Sequence, residues 1–422
     1  MIHNREVSSL EVVDACLTRI DHVNPKLNAV VQIALDARDR ARAADATLAL
    51  GDDVGPLHGV PFTVKDWIEA EGLICAAGFA ERSQFVPKRD ATAVARMRAA
   101  GATLLGKTNV NDGAPVYARP NNPYDLERSP GGSSSGEAAI IAAGGSPLGM
   151  GSDSGGSIRL PAAWCGVTGL KPTNGLVPNT GHFPRIGSMH DPRTTIGPLA
   201  RRVEDLALLL PIIAGVDGRD PGVVPMPLGD AWSVDGSALR VAWYTGMPGA
   251  APSHAVVAAV DAAVSALRDA GATANDASPP RLDESMRITV AYWSRVQSRS
   301  LTEWSLYRAS TLTADEIERS IFEWERFRGS MLRFMDDYDV IVCPATVDVA
   351  PEHRALTGED FAYTLPYSLT GYPVVVLRCG EDGGMPVGVQ IVARAWHDHV
   401  AVAAAMRIEA ALGGWAAPAR TD

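Results

Sequence analysis

The stretch SPGGSSSGEAAIIAAGGSPLGMGSDSGGSIRLPAAWCGVTGLKPT, residues 129–173, decides how the rest of the chain is read. Two glycine-serine loops, SPGGSSSGE at 129–137 and GSDSGGSIRLP at 151–161, flank an alanine-rich run. Glycine admits backbone angles closed to other residues and lets amides approach a ligand closely. A helix expected over 137–143 adds unpaired N–H groups at its start. The second loop can aim consecutive amides at one point, as an oxyanion requires. Eight serines lie between Ser129 and Ser157, so the question is which attacks and what takes its proton.

The familiar answers do not fit. An esterase elbow needs GxSxG, but Ser157 is followed by Ile158 and Arg159. His58, His182 and His190 are the nearby histidines, and none sits in a diagnostic context. Lysine is the remaining base. Lys65 ends the apolar run GVPFTV, where a strand would deliver it to an interior or a cleft. Burial there disfavours the ammonium, so the neutral amine becomes available as a base. An ion pair with the adjacent Asp66 is the plainer reading of the same residue, and Lys107 and Lys171 compete on equal terms.

Working outward, the 422 residues alternate between strand-like and helix-like segments. Residues 8–50 read as helical, with Ser8-Ser9-Leu10-Glu11 as a cap and an alanine-rich second run ending at Gly51. Strands are expected within GVPFTVKD, at 102–108 and as two short pieces in 166–177. Further strands are expected at 239–244, 339–343, 373–377 and 386–392. Helices are expected at 90–100, 202–215, 254–270, 282–336 and 398–412. This order implies one α/β domain, a central mixed sheet flanked by helices on both faces, spanning 1–422. Within it lie an N-terminal helical segment (1–50), a core (60–215) and a helical cap or substrate entrance (282–336). Residues 101–108, GATLLGKT, match the phosphate-loop pattern GxxxxGK[ST], but the expected order is helix, glycine, strand, the reverse of what a phosphate loop needs.

Composition bounds the function. A net charge of −11 offers no basic footprint for nucleic acid. Cys16, Cys75, Cys165, Cys343 and Cys379 form no CxxC and read as reduced thiols. The N-terminus has charges where a signal peptide needs an apolar core, and LALLLPIIAG at 206–215 is too short to span a bilayer. The expectation is a cytoplasmic enzyme without cofactor or metal, with no nucleic-acid or membrane partner. A small molecule is the expected ligand, and a homodimer is compatible with the sequence.

Residues 129–173, with GVPFTVKD and GATLLGKTN upstream and SLTGYPVVV (368–376) and PVGVQIVA (386–393) downstream, closely resemble the amidase signature family. The resemblance implies amide hydrolysis through a Ser-cisSer-Lys triad, matched by Ser157 as nucleophile, Ser133 as proton bridge and Lys65 as general base. It implies an oxyanion hole at the amides of Ser154, Gly155, Gly156 and Ser157, braced by Ser134, Asp153 and Arg159. It also admits the glutaminase subunit of a tRNA-dependent amidotransferase; a non-catalytic nucleotide- or anion-binding protein is the alternative of another class. Ser135 and Ser368 depart from the family's usual glycine and asparagine. The aromatic tract with Tyr292, Trp293, Trp304, Tyr307 and Trp324 suggests an aryl-lined entrance, while Arg185, Arg193 and Arg378 could each anchor a carboxylate.

Overall fold

The polar residues that close the first helix also create the first strand. In the computed structural model, which describes residues 1–52, 54–110, 116–184, 192–293 and 312–419, α1 (Ser9–Leu27) opens on a capping box between Ser8 and Glu11. It stops at Asn28, whose φ is +49°. Asn24 Oδ1 then accepts from the amides of Ala29 and Val30, both at 2.8 Å. The chain leaves this turn extended, as β1 (Val30–Ile33), before α2 (Ala37–Leu50). The expectation of helix across 8–50 is therefore corrected at 30–33.

The next units are β2 (Pro61–Lys65), α3 (Thr92–Ala99), β3 (Thr103–Thr108), α4 (Ser135–Ala142) and β4 (Leu148–Asp153). Strand β2 lies parallel to both β3 and β4, so α3 and α4 belong to the crossovers that parallel strands require. Helix α3 ends just before Gly101 and the letters TLLGKT are β3 itself. The GxxxxGK[ST] match is thus a helix–glycine–strand corner, with its lysine and threonine inside the strand and not at the helix start that a phosphate loop demands.

The chain continues through α5 (Arg159–Cys165), β5 (Thr168–Lys171), β6 (Thr195–Ala200), α6 (Val203–Ile213), β7 (Arg240–Trp243), α7 (His254–Asp269) and β8 (Thr273–Asp276). Then follow α8 (Ser285–Trp293), α9 (Ala314–Phe334), β9 (Val340–Pro344), α10 (Leu365–Thr370), β10 (Val374–Asp382), β11 (Met385–Ala393) and α11 (Asp398–Leu412). The described strands form one 11-stranded mixed sheet, ordered β1-β3-β2-β4-β6-β5-β10-β11-β9-β7-β8. Helices cover both faces. A Cβ at Gly388 of β11 would sit 2.6 Å from Ala163 of α5. Gly380 pairs with Val387, the residue before Gly388, and so faces the other way, onto Ala259 of α7.

Two smaller expectations are corrected. Only Thr168–Lys171 of 166–177 is a strand, because beyond it Gly175 and Leu176 bond to loop residues Val224 and Gly215 instead of a ladder. The resemblance reads SLTGYPVVV (368–376) as a C-terminal strand, but Ser368–Thr370 end α10 and Gly371, at φ +72°, separates them from β10, which begins within the expected 373–377. The expected tract 282–336 holds α8 and α9; its middle, 294–311, with Trp304 and Tyr307, lies outside the described residues, as do Arg185 and His190.

Candidate active site

Lys65 and Asp153 end the parallel neighbours β2 and β4, where open α/β sheets gather ligands. The helix α4 starts at Ser135, so the first glycine-serine loop is delivered to the same edge. The Gly132–Ser133 peptide is cis. Gly131 turns the loop with φ +82°, and a Cβ there would meet Pro161 Cα at 2.9 Å. The two loops are tied directly by the Ser134 amide, which donates to the Ser157 carbonyl at 3.1 Å.

Lys65 is fully buried, and among the described residues no carboxylate lies within ion-pair distance of it. Its Nζ lies 2.6 Å from Ser133 Oγ, 3.1 Å from Ser152 Oγ and 3.5 Å from the Ser152 carbonyl. It also sits 4.3 Å from the centre of the Trp67 ring. Burial pulls the amine down to about 7, against the charges of Asp153 and Glu137, which favour the ammonium. The ion pair with Asp66 does not form. Asp66 instead faces Lys107 Nζ at 3.6 Å and accepts from Tyr117, while Lys107 donates to the Ile68 carbonyl. Glu137 is buried beneath the site, accepting from Thr63 and, at 2.7 Å, from Thr108; burial raises its carboxyl to about 7.

The second loop is organised by one ion pair. Asp153 accepts from the amide of Gly156 at 2.9 Å, of Ile158 at 3.0 Å and of Arg159 at 3.3 Å. The Arg159 guanidinium grips the same carboxylate through Nε at 3.0 Å and Nη2 at 2.9 Å. Burial alone would raise the Asp153 carboxyl, but the Arg159 charge and these bonds outweigh it and hold it below its ordinary value. Arg159 reaches on to the Thr364 carbonyl at 2.8 Å, Ser368 Oγ at 2.7 Å and Gln390 Oε1 at 3.1 Å. Gly156 has φ +141°, and a Cβ there would meet Thr364 Oγ1 at 2.6 Å. Among the described residues, the amides of Ser154, Gly155 and Ser157 have no hydrogen-bond partner. Ser157 itself is half-buried, at the open side of this turn. Ser134 Oγ is within 3.4 Å of both the carbonyl and the amide of Ser152.

The two loops and Lys65 thus meet at one edge of the sheet, Lys65 touching Ser133 and the Ser134–Ser157 backbone bond joining the loops; among the described residues Ser157 Oγ makes no hydrogen bond. In the sequence Ser152 carries no assigned role, although it stands in the second loop beside Asp153, and His182 is set aside for want of a diagnostic context; Thr364 and Gln390 touch the site from distant segments without any local motif. His182 Nε2 lies 2.8 Å from Ser152 Oγ. Among the described residues of the aromatic tract, Trp293 faces the loop, its ring 3.7 Å from where a Gly155 Cβ would stand. Arg193 is buried with its guanidinium 3.9 Å above the Tyr292 ring, whereas Arg378 pairs with Glu381 at 2.6 Å. No group of three or more potential metal ligands, and no helix long and apolar enough to cross a membrane, occurs among the described residues.

Comparison with known proteins agrees with this geometry. The Amidase family model matches residues 11–325 and 298–402. The chain is 37% identical to a glutamyl-tRNA(Gln) amidotransferase subunit of Roseiflexus castenholzii, covering 94% of this chain and 91% of the relative. It is 33% identical to an acylamidase of Rhodococcus erythropolis, covering 97% of this chain and 93% of the relative. The solved structure of 6-aminohexanoate cyclic dimer hydrolase with its substrate superposes with a TM-score of 0.88 at 27% identity, over 100% of this chain and 97% of that one. The chain belongs to the amidase family of amidase-signature enzymes, and it is an amide-hydrolysing enzyme.

Proposed function

We propose that the chain hydrolyses a linear carboxylic amide to the acid plus ammonia or amine through a serine acyl-enzyme. The observation that carries this reading is the contact of a buried, carboxylate-free Lys65 Nζ with Ser133 Oγ at 2.6 Å. Neutral Lys65 takes the proton of Ser133, which takes that of Ser157 as Ser157 Oγ bonds to the amide carbonyl carbon. The carbonyl electron pair moves to oxygen and is held by the amides of Ser154, Gly155 and Ser157, while Gly156 fixes the turn through Asp153. When the C–N bond breaks, its electrons stay with nitrogen, and the proton returns along Ser133 to the departing amine. Water then gives its proton to the same relay and cleaves the ester, releasing the acid and restoring Ser157. Ser134, Asp153 and Arg159 brace the two loops without touching the reacting atoms. A wall formed by Trp293 and Leu365 over Gly155 supports an apolar or aryl group on the substrate, with the tract around α8 as its entrance.

Ser157→Ala and Lys65→Ala test the reading. Each is expected to lower amide hydrolysis by at least about 100-fold and leave the circular dichroism and melting curve close to the parent's. Turnover at the parent's rate in either variant overturns the mechanism.

A second reading is favoured by the 37% identity to a glutamyl-tRNA(Gln) amidotransferase subunit. In it the chain hydrolyses glutamine and passes ammonia to a partner protein. Purified chain separates the two: robust turnover of simple amides without any partner counts against the transferase role, and glutamine hydrolysis that needs added partner proteins supports it.

A further inference from the structure

We infer that Ser152 and His182 are a positioning pair that sets the direction of the hydrogen bonds around Lys65, turning the amine lone pair toward Ser133 and giving catalysis a second proton-sensitive control. The inference rests on the reading of Lys65 as general base. His182 lies beside the end of β2, bridged to Ile68. Its Nδ1 is 2.9 Å from the Pro184 carbonyl. A carbonyl oxygen only accepts, so Nδ1 carries the proton, and the neutral ring presents Nε2 as an acceptor. Ser152 Oγ, 2.8 Å away, therefore donates its hydrogen to Nε2. Only lone pairs of Ser152 Oγ are then left for Lys65 Nζ at 3.1 Å.

The consequence falls on the lysine. A neutral amine has two N–H donors and one lone pair. Its donors are taken by Ser152 Oγ and the Ser152 carbonyl, and the lone pair faces Ser133 Oγ, 2.6 Å away. Trp67 holds both partners, with its ring under Lys65 Nζ at 4.3 Å and edge-on to His182 at 5.8 Å between centroids. Protonating His182 makes Nε2 a donor. Ser152 must then turn its hydrogen away, toward the Lys65 lone pair, which competes with Ser133 for it. One proton on the ring thus disarms the base without reaching it.

Among the described residues, the other charges facing Lys65 are Asp153 at the end of β4 and Glu137 on α4, with the Asp66–Lys107 pair one residue along. Asp153 is committed to Arg159, and Glu137 to Thr63 and Thr108, so neither reaches Ser152 or His182 by a hydrogen bond. His182→Gln keeps an acceptor toward Ser152 that does not titrate, while His182→Ala removes it.

The test is the pH profile of kcat/KM of the full chain on a nitroanilide of a short carboxylic acid, with nitrogen-15 NMR of its histidines. The acid limb of the wild type is expected to be steeper than a single protonation gives. His182→Gln should reduce it to a single protonation while keeping the alkaline plateau near wild type. His182→Ala should lower the plateau kcat by about 10- to 100-fold with little change in KM. At alkaline pH the His182 ring should be the Nδ1–H tautomer. An Nε2–H tautomer, a single-proton limb in the wild type, or a Gln variant as impaired as the Ala variant each overturns the proposal. If His182→Ala does not fold, the Gln profile and the tautomer still decide. Failure here leaves Lys65→Ala inactive, whereas wild-type turnover in Lys65→Ala sinks the underlying base assignment instead.

Discussion

Strands β2 and β5 each end in a buried lysine, and the two ends behave differently. Lys65 and Lys171 are both brought down to about 7, burial being the first cause in each case. Lys171 Nζ, however, faces the carbonyls of Pro172 at 3.2 Å and Tyr372 at 2.9 Å, and Asn174 Oδ1 at 2.8 Å. All three are acceptors with no proton to give. Lys65 faces two hydroxyls, each of which carries one. A lowered lysine becomes a base only where its lone pair meets an acidic hydrogen. Lys171 is a structural cross-link between β5 and the turn before β10, whereas Lys65 meets the hydroxyls that its proposed role as base requires. Lys107, with a carboxylate beside it, is a third case, in which the charge is matched in place.

The strongest test of this contrast removes the two ends of the relay. Ser157→Ala is expected to lower kcat by roughly 10⁵- to 10⁶-fold, the scale seen when a serine nucleophile is deleted. Lys65→Ala should lower it by about 10²- to 10⁴-fold, the range for losing a general base. Both are measured as amide turnover by folded protein. Next comes pH. With Lys65 in its proposed role as the free amine, kcat/KM should rise as pH increases through about 7 and level off above it; a profile that falls from neutral toward alkaline pH without unfolding breaks the assignment.

Lys171→Met sharpens the comparison from the other side. Turnover per folded molecule should stay within about tenfold of the parent, since the positioning of Ser157 is held elsewhere. Stability should fall by about 1–3 kcal/mol at neutral pH, because buried acceptors lose their partner. The sign of its pH dependence follows from the lowered amine. Between about 7 and the unfolded lysine value near 10.4, the unfolded chain binds more protons at this site than the folded one. The Lys171 contribution to stability therefore grows with pH across that window, and denaturant titrations of the variant should lack that growth. A Lys171→Met protein that is folded but inactive would erase the distinction between the two lysines. The smallest effect is expected for Ser368→Ala, which takes one bond from Arg159 and leaves those to Asp153, Thr364 and Gln390. About 1 kcal/mol of stability should be lost, read from the urea midpoint, with turnover nearly unchanged.

Much of this was legible in the sequence because the chemistry is packed into loops with local patterns. The glycines, Ser133, Ser157 and the lysine at the end of GVPFTV stand in segments whose secondary structure is set by nearby residues. Most of what was not legible depends on residues far along the chain. Nothing in the sequence ranks Lys65 above Lys171, since the difference lies in what faces each amine. Strand β1 was hidden by the alanine-rich helix after it, although its cause is local: Asn24 Oδ1 caps the amides five and six residues on. Strand β4 was hidden by its own glycines. A Cβ at Gly149 would fall 1.8 Å from Glu137 Oε1, so this strand gives up side chains to let α4 and its buried carboxylate lie close. Ser152 and His182 are 30 residues apart and share no motif.

The reach of the Arg159 guanidinium has a consequence for the life of the chain before it is complete. The turn that carries Ser157 borrows support from Thr364, Ser368 and Gln390, and the last of these is in the penultimate described element of the molecule. A ribosome-bound chain that has emerged only as far as β9 already contains Ser157, Ser133 and Lys65, but not the partners that hold the turn of Ser157. Synthesis therefore runs ahead of assembly here, and the site takes its final shape only as β11 docks into the sheet.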